Sequence, residues 1–128
     1  MDPEFGPLSG ERPAWGGVYA PYNTKTNSFR LPPDTPHTKL GWRVKILWVV
    51  APKQRDPITL SGRQTGSEEP IWFEIDQMPA TTYAILPANT TEYFADFPSY
   101  VYFPSAGCYS IEAWWPDGSW RLGFGAGS

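Results

Sequence analysis

A chain of 128 residues has room for one self-sufficient core, and its formal charge of −3, with ten Lys and Arg scattered among thirteen Asp and Glu, leaves no electrostatic footprint for nucleic acid. Fifteen prolines and twelve glycines leave no uninterrupted stretch longer than ten residues, which excludes a helical fold, while the aromatic share of 16% suits short strands. A single cysteine and a single histidine exclude an internal disulfide and any redox-metal site that needs two histidines and a thiolate, so neither metal nor cofactor is expected.

Met1-Asp2-Pro3-Glu4-Phe5 reads as vector-derived sequence and is set apart from fold reasoning. Residues 6–128 are expected to form one β-sandwich domain of about seven to nine short strands. Within it, residues 6–40 are rich in Pro, Gly, Asn and Thr and are expected to wrap the domain as extended edge segments. His37 falls in this part and is expected as an exposed loop residue.

Residues 42–50 alternate Trp42, Val44, Ile46, Trp48 and Val50 against Arg43 and Lys45, and Leu47 and Val49 make the second face apolar as well. That pattern predicts a central strand covered on both sides over its later half, with Trp48 buried. Residues 57–64 and 71–75 follow as shorter strands, the second with Ile71, Phe73 and Ile75 inward and Trp72 and Glu74 outward. Residues 81–86 form another strand candidate. Asn89 followed by Glu92 resembles a capping box and predicts one or two helical turns over 90–95; Asn89-Thr90-Thr91 also fits a glycosylation acceptor triplet. Residues 99–103 alternate Val101 and Phe103 with Tyr100 and Tyr102.

The C-terminal part reads as a hairpin around Pro116-Asp117-Gly118-Ser119, with Asp-Gly as the source of positive φ. Pairing Trp115 with Trp120 sets Ala113 against Leu122 and Ile111 against Phe124, an apolar core face. The other face then carries Trp114 opposite Arg121, with Glu112 diagonal to it. Cys108 lies on the Trp114 side by parity and is expected as a small, half-buried apolar residue. No run of apolar residues reaches membrane-spanning length.

The ordered motifs Lys45-Ile46-Leu47-Trp48-Val49-Val50-Ala51-Pro52, Pro57 with Gly62-Arg63-Gln64, Pro98-Ser99-Tyr100 and Pro104-Ser105-Ala106-Gly107-Cys108-Tyr109 resemble those of uncharacterised exported or lipid-anchored bacterial domains. The resemblance covers the last two-thirds of the chain. It implies an antiparallel immunoglobulin-like sandwich, an extracytoplasmic location and a lipid anchor in a longer precursor. It also likens Gly107-Cys108-Tyr109 to a tyrosine corner, and it brings no catalytic residue with it.

Three classes of function remain. A protein-interaction or structural module needs no special residue, only loops or an edge strand. A carbohydrate-binding module needs exposed flat rings, and strand parity turns Trp72, Tyr100, Tyr102 and Trp114 away from the core, with Arg121 beside Trp114 to address hydroxyls. A hydrolase needs converging carboxylates, for which Glu74, Asp76 and Glu112 are the candidates. No catalytic residue is assigned, and the expected partner is a protein or a cell-surface glycan.

Overall fold

The computed structural model describes residues 8–23, 25–31, 35–67, 69–75 and 78–127; residues 1–5, expected to be vector-derived, lie outside them. The described chain is all β, with no helix. Its strands are β1 (Leu8–Glu11), β2 (Ala14–Val18), β3 (Tyr22–Asn23), β4 (Ser28–Phe29), β5 (His37–Thr38), β6 (Gly41–Val50), β7 (Ile58–Gln64), β8 (Trp72–Ile75), β9 (Tyr83–Leu86), β10 (Ala95–Phe103), β11 (Gly107–Trp115) and β12 (Gly118–Ala126). Nine of these have four residues or more, and β3, β4 and β5 have two each.

Two sheets form. One has the order β1-β2-β6-β10-β8, with β5 added to β6, and the other the order β3-β4-β12-β11-β7-β9. All pairings are antiparallel except β4 with β12. The sheets face each other across one apolar core. Phe103 from β10 reaches across it to Tyr109, Phe29 and Phe124 of the other sheet, with ring centroids 5.1, 5.5 and 5.8 Å apart in edge-to-face contact. Edge-to-face geometry sets the positive ring edge against the negative face and adds to simple burial.

The predicted core strand is β6, and Trp48 in its middle is fully buried, as expected. The N-terminal segment does more than wrap the edges. β2 is buried along its whole length between β1 and β6, and β3 and β4 extend the opposite sheet. Sequence reading misses β2 because Gly16 and Gly17 have poor strand propensity. The structure needs one of them: a Cβ on Gly16 would lie 2.4 Å from the Trp48 ring, so the indole fills the volume a side chain would take.

The expected helical turns near Asn89 are absent. Asn89 is buried, and its amide donates to the carbonyls of Ala51 at 3.0 Å and Tyr93 at 2.7 Å, while its Oδ1 accepts from the Thr91 amide and hydroxyl. The side chain thus closes a local Asx turn and pins the loop to the end of β6, where helix capping would have left its amide free. A buried, fully bonded amide is no glycosylation acceptor in the folded chain.

The C-terminal hairpin has the expected faces and a different register. Trp115 pairs with Gly118, Ala113 with Trp120, Ile111 with Leu122 and Glu112 with Arg121, leaving a two-residue loop of Pro116 and Asp117. No residue from 116 to 118 has positive φ. Proline suits the second position of a type I turn and glycine its fourth, so Pro116 and Gly118 select the tighter loop. The shift is two residues, which preserves parity and therefore the core face. Cys108 does lie on the outer face with Trp114, but it is exposed where half-burial was expected. His37 is exposed, at the edge of β6, with its ring 4.4 Å from that of Trp42.

Trp48→Ala is expected to cost about 3–5 kcal/mol of stability by urea denaturation. Gly16→Ala, which forces a methyl into the indole, is expected to cost about 1–3 kcal/mol. A Gly16→Ala midpoint equal to wild type would show that β2 is not packed on β6.

Candidate functional site

Cross-strand partners in an antiparallel sheet share a face, so the register assigns every outward side chain. Tyr102 stands between Arg43 and Trp72, and Tyr100 between Lys45 and Glu74, on the outer face of the first sheet. Trp114 stands between Ser119 and Thr59, and Glu112 between Arg121 and Ser61, on the outer face of the second. The five expected ligand residues therefore fall into two groups on opposite sides of the sandwich. Trp72, Tyr100 and Tyr102 are together, Trp114 and Arg121 are together, and one four-ring platform does not form.

The first group is closed on itself. Tyr102 is only 7% exposed, and its hydroxyl donates to Glu74 Oε1 at 2.6 Å while accepting from Arg43 Nε at 3.3 Å. Arg43 also donates to Glu74 Oε2 at 3.4 Å, and its guanidinium lies 3.5 Å from the centroid of the Tyr100 ring. The face of Tyr100 that a sugar would use is thus held by a cation, and Tyr102 has no open face. Trp72 flanks this network, half-buried. Burial, then the hydrogen bond to Glu74, push the Tyr102 phenol above its usual value of 10.0.

The same placement separates two of the three candidate carboxylates. Glu74 is committed to Arg43 and Tyr102, Glu112 lies on the opposite face in an ion pair with Arg121 at 2.9 Å, and Asp76 falls outside the described residues. Among the described residues no three His, Cys, Asp or Glu side chains gather as a metal site would require.

An open apolar surface lies on the second sheet. Trp114 is 39% exposed, and across Thr59 from it stands Ile85 of β9, 53% exposed, next to Tyr83 at 52%. Beyond them Met78 is 65% exposed. A groove of about 410 Å³ runs here, lined by Phe73, Ile75, Met78, Pro79, Tyr83 and Ile85 among others.

Among the described residues β9 is also an unpaired edge. The amide of Gln64 donates to Glu69 and the carbonyl of Gly62 accepts from Ile71, both at 2.9 Å, so even-numbered residues of β7 direct their backbone groups to the β9 side. Leu60 and Ile58 accordingly bond Ala84 and Leu86, and Tyr83 and Ile85 direct theirs away from the sheet. The Tyr83 carbonyl is taken by the Thr81 hydroxyl. The neighbouring edge of β8 is covered, since Phe73 and Thr81 exchange both backbone hydrogen bonds, at 2.7 and 2.9 Å.

Met78, Tyr83 and Ile85 were not among the residues singled out from sequence. The alternation of Tyr83 and Ile85 against Ala84 and Leu86 already places the first two outward, but their edge position depends on sheet order. Comparison with protein-family models, with curated proteins and with solved structures gives no match.

A raised phenol pKa means that the native state holds the Tyr102 proton more tightly than the unfolded chain does. Its contribution to stability is fully present below about pH 10 and is lost as pH climbs through the raised native value. Tyr102→Phe is expected to flatten part of that alkaline loss in a denaturation series; Tyr22, also raised by burial, keeps its own part. An unchanged alkaline limb would show that Tyr102 titrates normally.

Proposed function

We propose that this chain is a non-catalytic, extracytoplasmic interaction module that recognises a protein partner, taking an extended segment of it along the free edge of β9. The coincidence of an unpaired strand edge with the apolar groove beside it carries this reading. An added strand would satisfy the outward N–H and C=O of Ile85, and its alternate side chains would enter the groove between Met78 and Ile85. Edge strands are ordinarily guarded by lysine, proline or a bulge. Here Tyr83 and Ile85 occupy those positions. Met78 and Ile85 beside the unpaired backbone favour a protein over a sugar, since aliphatic side chains offer no flat ring for a pyranose face and Tyr83 is the one exposed ring among the lining residues.

The extracytoplasmic location and a lipid anchor in a longer precursor rest on the motif resemblance. An immunoglobulin-like relationship is supported by the Tyr109 hydroxyl, which donates to the Ser105 carbonyl and accepts from the Ser105 amide as a tyrosine corner does. The absence of catalysis is supported by the separation of Glu74 from Glu112. A carbohydrate reading keeps one observation in its favour, the exposed Trp114 beside the Glu112–Arg121 pair.

Selection of a random peptide-display library on the whole chain is expected to enrich extended, β-branched sequences whose addition slows hydrogen exchange at the Ile85 amide. Ile85→Pro removes that outward donor without touching the β7 ladder and should weaken the enriched peptides by about tenfold or more. Ile85→Asn, which keeps the donor and loses the apolar side chain, serves as the second variant. No enrichment, or peptides that bind both variants as well as wild type, would reject the edge as the docking site.

A further inference from the structure

On the outer face of the second sheet Arg63, Ser110 and Gly123 form one cross-strand row, and Ser61, Glu112 and Arg121 form the next, which Tyr83 of β9 continues. A depression of about 210 Å³ lies among Ser61, Arg63, Ser110, Glu112 and Arg121. It continues into a second, of about 500 Å³, lined by Gln64, Thr65, Gly66 and Ser67 together with Arg63, Ser110 and Arg121.

The charges of this groove are unequal. Arg121 is paired with Glu112 at 2.9 Å. The guanidinium of Arg63 is exposed and has no ion pair or hydrogen bond among the described residues. Among the described residues the groove therefore holds two cations, Arg63 and Arg121, against one anion, Glu112, on a chain whose formal charge is −3. At its end along β11, the next outward residue after Glu112 is Trp114, whose ring is 39% exposed.

We propose that this groove binds a linear acidic saccharide, a chain of uronate sugars. Arg63 takes a carboxylate through its planar fork, the geometry in which guanidinium and carboxylate match best. The Arg121–Glu112 pair sets donors and an acceptor side by side, so that one hydroxyl of a vicinal pair accepts from Arg121 while the other donates to Glu112. Trp114 receives the apolar C–H face of a following ring. Ser110 to Trp114 spans about 13 Å of strand, more than one sugar ring, so the ligand is an oligomer. The Glu112 carboxylate repels an anion at the middle of the groove, which directs one ring's carboxylate to the Arg63 end and turns the next ring's outward to solvent. The proposal is independent of the β9 edge.

Calorimetric titration of the whole chain with oligomers of galacturonate, glucuronate and mannuronate, beside their methyl esters and poly-glutamate, tests it. At least one uronate series is expected to bind, and its ester to bind about tenfold or more weakly. Arg63→Gln should abolish the preference for acid over ester, and Trp114→Ala should weaken both forms alike, with thermal stability of the exposed-site variants near wild type. Ile85→Asn should leave all of this unchanged, which separates the groove from the peptide edge. Absence of binding to every uronate series, an acid preference that survives Arg63→Gln, or poly-glutamate binding as tightly as the saccharide would overturn the proposal.

Discussion

The indole of Trp48 occupies the volume that a side chain at residue 16 would need, and the architecture around the first sheet follows from that contact. Because Gly16 offers bare backbone, β2 can lie against β6 with the largest side chain of the core between the sheets. The β1–β2 hairpin then closes one edge of this sheet. Trp15 on the outer side of β2 is buried in turn, with Phe94 6.0 Å from its ring and Arg12 over it at 5.7 Å. The loop that brings Phe94 there is held by the Asn89 amide, so a glycine, a tryptophan and a buried asparagine act as one unit. The indole N–H of Trp48 has no acceptor among the described residues, so its place is set by shape and apolar burial.

Closing one side gives the open side its meaning. The first sheet ends at β8, whose edge is bonded to Thr81, and the second ends at β9, whose edge groups at Ile85 face outward. An apolar groove beside unpaired backbone is a costly thing to leave in water and an inexpensive thing to cover with another strand. The two outer faces differ in the same way. On the first sheet Arg43, Glu74, Tyr100 and Tyr102 satisfy one another, and such a network stiffens a face without offering groups to a ligand. On the second sheet Arg63 is left over and Trp114 is uncovered.

A good part of the fold was legible along the chain. Alternation with period two identified β6, β8 and the C-terminal hairpin, short strand-like runs identified β7 and β9, and Trp48, Val101, Phe103, Ile111 and Trp120 were assigned to the core, where they are. The parity of a strand depends only on its own residues, which is why even a two-residue error in hairpin register left the buried face intact. β2 was invisible because its strand character comes from a neighbour's ring and not from its own glycines. The turn at Asn89 was read as a cap because the same side-chain geometry serves helix starts and Asx turns alike.

The sequence by itself determined that the protein is all β, which side chains of β6, β8, β10 and the C-terminal hairpin point inward, and that Trp114 and Arg121 share an outer face. Only the tertiary structure decided that Trp72, Tyr100 and Tyr102 belong to the opposite side of the molecule, that Tyr102 is buried beneath Arg43 and Glu74, and that β9 is an open edge. The reason is physical. Inward and outward are local properties of a pleated chain, whereas the sheet a strand joins, and the neighbour it lacks, are set by pairings between residues far apart in sequence.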